Sequence, residues 1–469
     1  MALPLRAPTT DELIDQLAKG DQEELVRLLV RLGSAQVGVA PKDRYYHWDR
    51  LRHLTPPEGL SSEEWWLGVK LARRPLLREL PLKDLEGKPF RFGIPDEAQE
   101  LLHFVDQHAS GEIRMPEVVT GSEAARKHYL VNSMIEEAIR SSQLEGAATT
   151  HAVAKEMIRT GRPPRDRSER MILNNFRAME FMLEEVGTKL TPELVIELQR
   201  ILTEGTLDNP DASGRIQRPD DERVIVGNII DGSALHIPPP AEQLKDRMEL
   251  MCKFANGEKL SEGFMHPVAR AILLHFWLAF DHPFEDGNGR TARALFYWSM
   301  ETQGYWLTEY LSISRILRQG PSKYLQSFLY TETDERDTTY FILFQLGVIR
   351  RAIEELHAYL QRKMQEVHEV ETILRGSDDF NYRQLALLSN ALRQPSHSYT
   401  FRSHSVSHKV THQTARTDLL DLRKKGLLDM RKVGRQYIFR PVQDLGKMLA
   451  RIGSANGSRN QRRPRATSH

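Results

Sequence analysis

Twelve consecutive residues, His282-Pro-Phe-Glu-Asp-Gly-Asn-Gly-Arg-Thr-Ala-Arg293, hold a base, a carboxylate, a Gly-Asn-Gly turn and two arginines. A histidine can take a proton from an attacking hydroxyl near neutral pH. A carboxylate such as Asp286 can hold a Mg²⁺ that bridges phosphate oxygens. Glycine lets backbone N–H groups approach an anion closely, above all where a helix begins. Arginine clamps phosphates with a planar fork. Phosphoryl and nucleotidyl transfer need each of these residue types.

The flanking sequence indicates how the run is held. Residues 266–281 contain strong helix formers and almost no breakers, whereas Pro283 and Gly287 interrupt the pattern. Helical character resumes from Arg290 to Trp298, so the run reads as helix, tight loop, helix. Arg290 and Arg293 are three apart and share a helix face. They project from the first turns of the second helix, whose N-terminus favours negative charge.

The run resembles the signature of the Fic family, H-P-F-x-[D/E]-G-N-G-R-x-x-R, at every fixed position. The resemblance implies that His282 is the general base and Phe284 a core anchor for the loop. It implies that Asp286 binds Mg²⁺ and that Gly287, Asn288 and Gly289 form an anion hole for the α- and β-phosphates of ATP. Arg290 would contact the phosphates and offset charge on the leaving group, and Arg293 would hold the γ-phosphate. The implied reaction moves AMP from ATP to a Ser, Thr or Tyr hydroxyl of a target protein and releases pyrophosphate. Related proteins transfer other phosphate-containing groups or remove AMP, and both alternatives stay open.

Two further segments resemble parts of the same family. Ser141-Ser-Gln-Leu-Glu145-Gly146 ends a helix expected over Glu123–Glu145. It is similar to the inhibitory motif [S/T]-x-x-x-E-[G/N], which implies that Glu145 pairs with Arg293. Such a pair would occupy the arginine meant for the γ-phosphate and put negative charge where a phosphate must sit. Residues 214–240 contain the β-branched run Arg223–Val226, bounded by Gly227, and the turn signal Asp231-Gly232. This is the one hairpin expected in the otherwise helical body. Similar segments in Fic proteins form a flap along the target groove, where an exposed strand could pair with an extended substrate segment. His236 on this segment is expected as a packing residue rather than a second base.

Composition bounds the rest. A chain of 469 residues should hold about three domains. Charged residues at 28% and hydrophobic residues at 40% are ordinary for a soluble globular protein. No stretch approaches the ~20 apolar residues of a membrane span. Cys252 is the only cysteine, which excludes an intrachain disulfide framework and a multi-cysteine zinc site. It is expected as a small core residue. The first residues show no secretory apolar region, so the expected setting is cytoplasmic.

The net charge of +1 hides an asymmetry. Residues 381–442 hold 12 Lys and Arg against 3 Asp and Glu, and the tail 451–469 adds five arginines and no acids. Residues 1–380 therefore carry −13. The basic end reads as helices over Tyr382–Leu392, Ser403–Val410 and Thr411–Gly426, then an alternating segment around Val433-Gly434-Arg435. This order resembles a winged helix-turn-helix, which places its recognition helix in the DNA major groove. Candidate contacts are His412, Gln413, Thr414, Arg416 and Thr417, with Lys432 and Arg435 of the wing at phosphates. Winged helices also serve as protein-interaction or dimerisation modules, so DNA, a protein partner and a homodimer all stand as expectations. A different class of reading is a DNA-binding regulator that uses the Fic-like region to sense nucleotide.

The expected organisation is an N-terminal helical region over 1–95, a core over 96–345, a helical linker over 346–378, a winged helix over 379–442 and a basic, disordered tail over 443–469. The inhibitory helix (about 123–146), the flap (about 214–240) and the signature all fall within the core. The fold class is mainly α. In the N-terminal region one helix is expected from Thr10 through Leu32, with aromatic-rich helical segments at Tyr45–Arg52 and Ser61–Trp66. Ser61 or Ser62 would cap the latter. Trp48, Trp65 and Trp66 are expected in a core or interface, and no chemistry is assigned there.

Overall fold

The computed structural model describes residues 3–18, 21–110, 123–227, 234–259, 263–375, 379–393, 397–433 and 436–451. The described chain is mainly helical, with three small two-stranded antiparallel sheets. It begins with α1 (Thr10–Ala18), α2 (Gln22–Ser34), α3 (Trp48–Leu51) and α4 (Ser62–Arg73), then strands β1 (Arg78–Lys83) and β2 (Pro89–Phe92). Helices α5 (Asp96–Ala109), α6 (Glu123–Leu144), α7 (His151–Thr160), α8 (Arg167–Glu184) and α9 (Pro192–Thr203) follow. After β3 (Val226–Gly227) and β4 (Ala234–His236) come α10 (Leu244–Ala255), α11 (Pro267–Asp281), α12 (Asn288–Thr302), α13 (Ile313–Gln319), α14 (Pro321–Thr333) and α15 (Thr339–Arg375). The chain continues through α16 (Tyr382–Arg393), α17 (Phe401–His408), α18 (His412–Lys424), β5 (Leu428–Val433) and β6 (Gln436–Pro441). Residues Met1–Glu112 and Ser133–Ile353 form one compact unit, and Ile113–Asn132 with Glu354–His469 form a second.

The first unit is built around α11 and α12. Helix α11 is apolar on nearly every side, and such a helix must be covered on every side. Its residues from Val268 to Asp281 are almost all buried. Phe90 of β2 packs edge-on to Phe276 and Phe280, with ring centroids 5.4 and 4.8 Å away. Hairpin β1–β2, paired Arg78↔Phe92 through Lys83↔Pro89, corrects the expectation that residues 214–240 hold the one hairpin of the body. Pro81 and the charged residues obscure the strand pattern. What stabilises it is tertiary, because Leu80, Leu82, Phe90 and Phe92 are all buried. The turn is closed by Asp84, whose carboxylate accepts from the Glu86 and Lys88 N–H groups at 2.9 and 2.8 Å.

Two helices, α1 and α2, stand where one was expected from Thr10 to Leu32. The reason is Asp21, which caps a fresh start by accepting from the Glu23 N–H at 2.9 Å. Ser61 is the cap of α4. It accepts from the Glu64 N–H at 3.1 Å while the Glu64 carboxylate accepts from the Ser61 N–H at 2.8 Å. Helix α4 carries Trp65 and Trp66 into a cluster with Trp48, Leu13 and Leu28. Cys252 is buried on α10. Strands β3 and β4 pair Val226↔His236 and Gly227↔Ala234, while the expected turn at Asp231-Gly232 lies outside the described residues.

In the second unit, α16, α17 and α18 precede the hairpin β5–β6, paired in register from Leu428↔Pro441 to Val433↔Gln436. Helix α17 starts two residues before its expected position, because Thr400 caps it in a reciprocal box with Ser403. Thr411 caps α18 by accepting from the Thr414 N–H. Leu387, Leu388, Leu419, Leu422, Leu427 and Phe439 form the core, together with Leu445 and Leu449 from a helical turn at 445–451, which corrects the start of the disordered tail expected over 443–469. Buried Asp418 accepts from Arg383, Asn381 and His404. Gly434, Arg435 and residues 452–469 lie outside the described residues. Among the described residues no helix is long and apolar enough to cross a membrane.

Candidate active site

His282 follows the last residue of α11 in a left-handed conformation, φ 46° and ψ 54°. Glycine usually fills that cap position, so a histidine there needs support from its surroundings. Its N–H donates to the Leu278 carbonyl at 3.0 Å. Its Nδ1 lies 3.3 Å from the Ala279 carbonyl, so Nδ1 carries the proton and Nε2 keeps its lone pair. Burial pushes the ring's pKa down to about 4. The nearby His236 and Arg223 act in the same direction, against the Ala279 carbonyl and Glu145. A half-buried imidazole that stays neutral at pH 7 can accept a proton.

The loop after His282 is braced from within. Phe284 is fully buried. The Asn288 side chain closes on that residue's backbone: its Oδ1 accepts from the Phe284 N–H at 3.0 Å, and its Nδ2 donates to the Phe284 carbonyl at 2.8 Å. Gly287 then takes φ 89° and opens α12 without a side-chain cap. The first N–H groups of α12 have no intrahelical partner, and the helix dipole adds positive character there. This end of α12 is therefore suited to an anion.

Asp286 accepts from the Gly287 N–H and from Arg290 Nη2, the latter at 3.1 Å. Arg290 is fully buried and also donates from Nη1 to the Leu202 carbonyl at 3.0 Å. Its Nε has no partner among the described residues. Among the described residues no group of three or more His, Cys, Asp or Glu could hold a metal ion. Asp286 is instead a single carboxylate, 37% exposed. That fits a Mg²⁺ that takes its remaining ligands from phosphates and water.

Arg293 and Glu145 meet. Arg293 Nη2 donates to Glu145 Oε1 at 2.7 Å and to the Ser141 carbonyl at 3.1 Å, and Nε donates to Ser141 Oγ at 2.8 Å. Burial, the largest single influence, would lower the arginine's pKa, but Glu145, Tyr324 and Glu137 together outweigh it and the net shift is upward. Glu145 lies just beyond α6, where Gly146 turns the chain at φ 93°. Its carboxylate also lies against Gly289, where a Cβ would meet Oε1 and displace it. Glycine at 289 thus leaves room for the Glu145 carboxylate to rest on the first turn of α12.

Four other residues shape the site without being evident from the sequence. Gln199 of α9 donates to the Asp286 carbonyl at 3.1 Å and accepts from the Gly214 N–H at 2.7 Å. Arg223 donates to the Pro239, His282 and Asp281 carbonyls at 2.9, 3.2 and 3.0 Å. Glu137 of α6 is buried near Arg293 and accepts from Ser312 and Ser314. Burial raises its pKa against those hydrogen bonds. Tyr324 lies beside Arg293, and its hydroxyl is 2.7 Å from His275 Nε2. Each is remote in sequence from the residue it supports. His236 is packed: Nε2 donates to the Phe280 carbonyl at 2.7 Å and Nδ1 meets Glu332 at 2.9 Å.

Comparison with known proteins bears on this arrangement. Residues 189–300 match the Fic/DOC family. Proteins named protein adenylyltransferase Fic from Drosophila erecta and Drosophila mojavensis are 31% and 32% identical over 137 residues. The match covers 28% of this chain, and the chain spans about a quarter (25%) of the length of these curated relatives. Among solved structures, a Fic family protein from Desulfovibrio desulfuricans G20 matches 75% of this chain and 96% of its own, with 18% identity and a TM-score of 0.46. Fic-1 (residues 134–508) from C. elegans matches 76% of this chain and 90% of its own, with 16% identity and a TM-score of 0.48. On the matched segment and the curated relatives, this chain carries a Fic/DOC family domain.

Proposed function

We propose that the chain is a protein adenylyltransferase that moves AMP from ATP to a Ser, Thr or Tyr hydroxyl of a target protein, and that Glu145 restrains it. The observation that carries this reading is the Glu145–Arg293 bond of 2.7 Å, made against Gly289 at the open N-terminus of α12. An anion site and a phosphate-gripping arginine are both filled by one carboxylate. When that carboxylate withdraws, the N–H groups from Asn288 onward face the α- and β-phosphates, and Arg293 takes the γ-phosphate. His282 Nε2 accepts the proton of the target hydroxyl as its oxygen attacks the α-phosphorus. The new O–P bond forms while the bond to the β-phosphate bridging oxygen breaks, and pyrophosphate leaves. Asp286 would hold Mg²⁺, which supplies positive charge to the phosphates. Hairpin β3–β4 would align the target segment with His282.

The test is incubation with α-phosphate-labelled ATP and Mg²⁺, alone and with cell lysate. Wild type, Glu145→Gly and Glu145→Gly/His282→Ala are compared. Label on protein from Glu145→Gly, weaker from wild type and absent from the double variant, is the expected outcome. No label from any form, with release of AMP from an AMP-modified protein pool, would replace transfer by removal. His282→Ala should leave ATP binding intact.

A second reading concerns the basic end. Helix α18 presents His412, Gln413, Arg416 and Thr417 to solvent, and Lys432 of β5 is also exposed. With a net of +9 over residues 381–442, this favours a winged helix-turn-helix that binds duplex DNA. Thr414 is half-buried on the same turn.

A further inference from the structure

The loop that presents His282 is held from outside by the segment leading into β3. Arg223 Nη2 donates to the Asp281 carbonyl at 3.0 Å and Nη1 to the His282 carbonyl at 3.2 Å. These are the carbonyls at the C-terminal end of α11, where a cation is favoured by the helix dipole. Arg223 Nε also donates to the Pro239 carbonyl at 2.9 Å, and Gln217 Oε1 accepts from Nη1. Gln217 completes the tie, because its N–H donates to the Pro283 carbonyl at 2.8 Å. One guanidinium thus joins both sides of hairpin β3–β4 to the backbone of the proposed base. His282 occupies a left-handed conformation that favours glycine. Its carbonyl direction is therefore not set by local preference and must be imposed by a partner.

We infer that Arg223 is a positioning residue for His282, fixing the imidazole's aim through the Asp281 and His282 carbonyls and coupling that aim to hairpin β3–β4. The inference rests on the adenylyltransferase reading for its kinetic consequence, but not for its structural one. Lysine at 223 can keep the positive charge and one carbonyl bond, whereas glutamine keeps neither the charge nor the fork. The charged and titratable groups that act on the ring are Glu145 from the end of α6, His236 from β4 and Arg223 itself. Arg223 repels the protonated ring, so its removal lets the ring hold a proton to higher pH.

The experiment uses the full chain in the Glu145→Gly background, with Arg223→Gln, Arg223→Lys and His282→Ala. AMP transfer is measured against pH, ATP binding by calorimetry, and the His282 ring by NMR titration, with His282→Ala identifying its signal. For Arg223→Gln we expect kcat to fall roughly 10–100-fold, the order that misplacing a reacting group costs. ATP affinity should stay within about twofold of the parent, and the ring's titration should move to higher pH. Arg223→Lys should recover part of kcat and keep the parent's titration. Unchanged kcat and titration in Arg223→Gln would overturn the inference, as would loss of ATP binding in both variants, which marks general unfolding. If the Glu145→Gly parent transfers no AMP, that reading falls, and the NMR titration of the three chains still decides whether Arg223 governs His282.

Discussion

At the scale of single residues, burial pushes the proposed base and the arginine of the proposed restraint the same way, and only the arginine is compensated by its neighbours. Burial drives His282 toward its neutral form, with a pKa near 4. For a base the unprotonated form is the active one, so activity should be lost as pH falls through the folded pKa. AMP transfer by Glu145→Gly should therefore be level on its acid side down to roughly pH 5, well below the ~6.5 of a free histidine. A limb centred on the free value would show that the ring titrates as if solvated. Arg293 is buried too, but Glu145, Tyr324 and Glu137 together shift its pKa upward. Arg293→Ala would remove the proposed restraint and the proposed γ-phosphate grip together. Labelled-ATP assays should then place it about 100-fold below Glu145→Gly, the order lost with one charge-stabilising donor. A hyperactive Arg293→Ala would contradict the double role. The residues from His282 to Arg293 were legible because they are consecutive and each type is chemically specific. Glu145 was legible from its motif. Arg223, Gln199 and Glu137 were not, because a common residue type gains its meaning here only from a carbonyl or side chain tens of residues away.

At the scale of elements, helices were read more faithfully than strands. Helix α11 betrays itself by its apolar composition, and α12 starts where Gly287 ends the loop, two residues before Arg290. Helix α15 runs from Thr339 to Arg375 and takes in residues 346–375 of the helical linker expected over 346–378. Hairpin β1–β2 escaped notice because its stability comes from packing on Phe276 and Phe280, which no local pattern encodes. The division of α1 from α2 escaped because a single capping carboxylate, Asp21, outweighs a continuous apolar spacing. Caps can be tested singly. Ser61→Ala breaks the reciprocal box that starts α4 and should cost about 1 kcal/mol. Thermal unfolding should register it as a fall of about 1–2 degrees, with AMP transfer unaffected. A change in transfer larger than the change in stability would mean that α4 influences the site.

At the scale of the whole molecule, the uneven charge makes a prediction about salt. With +9 over residues 381–442 against −13 over 1–380, nucleic acid should be drawn to the basic end alone. Binding of the full chain to duplex DNA should weaken linearly with log salt; Lys432→Ala should lower that slope by about 1, and Arg416→Ala should cost about 1–3 kcal/mol on the preferred sequence. A slope unchanged in Lys432→Ala with affinity unchanged in Arg416→Ala would turn the basic module toward a protein partner. The Glu145–Arg293 contact has a consequence of another kind. Arg293 is 2% exposed and Glu145 31% exposed, so Glu145→Gly strips a buried cation of its main counter-charge while Ser141 remains. The released protein should lose about 1–2 kcal/mol, less than a fully buried pair would, and calorimetry should find its melting point lowered. Nucleotide should restore that loss by mass action, more in Glu145→Gly than in wild type, because under the proposed restraint only the released site binds phosphate freely. Activation would then carry its own limit: in a cell short of ATP, the active form is the one that unfolds first and is degraded first.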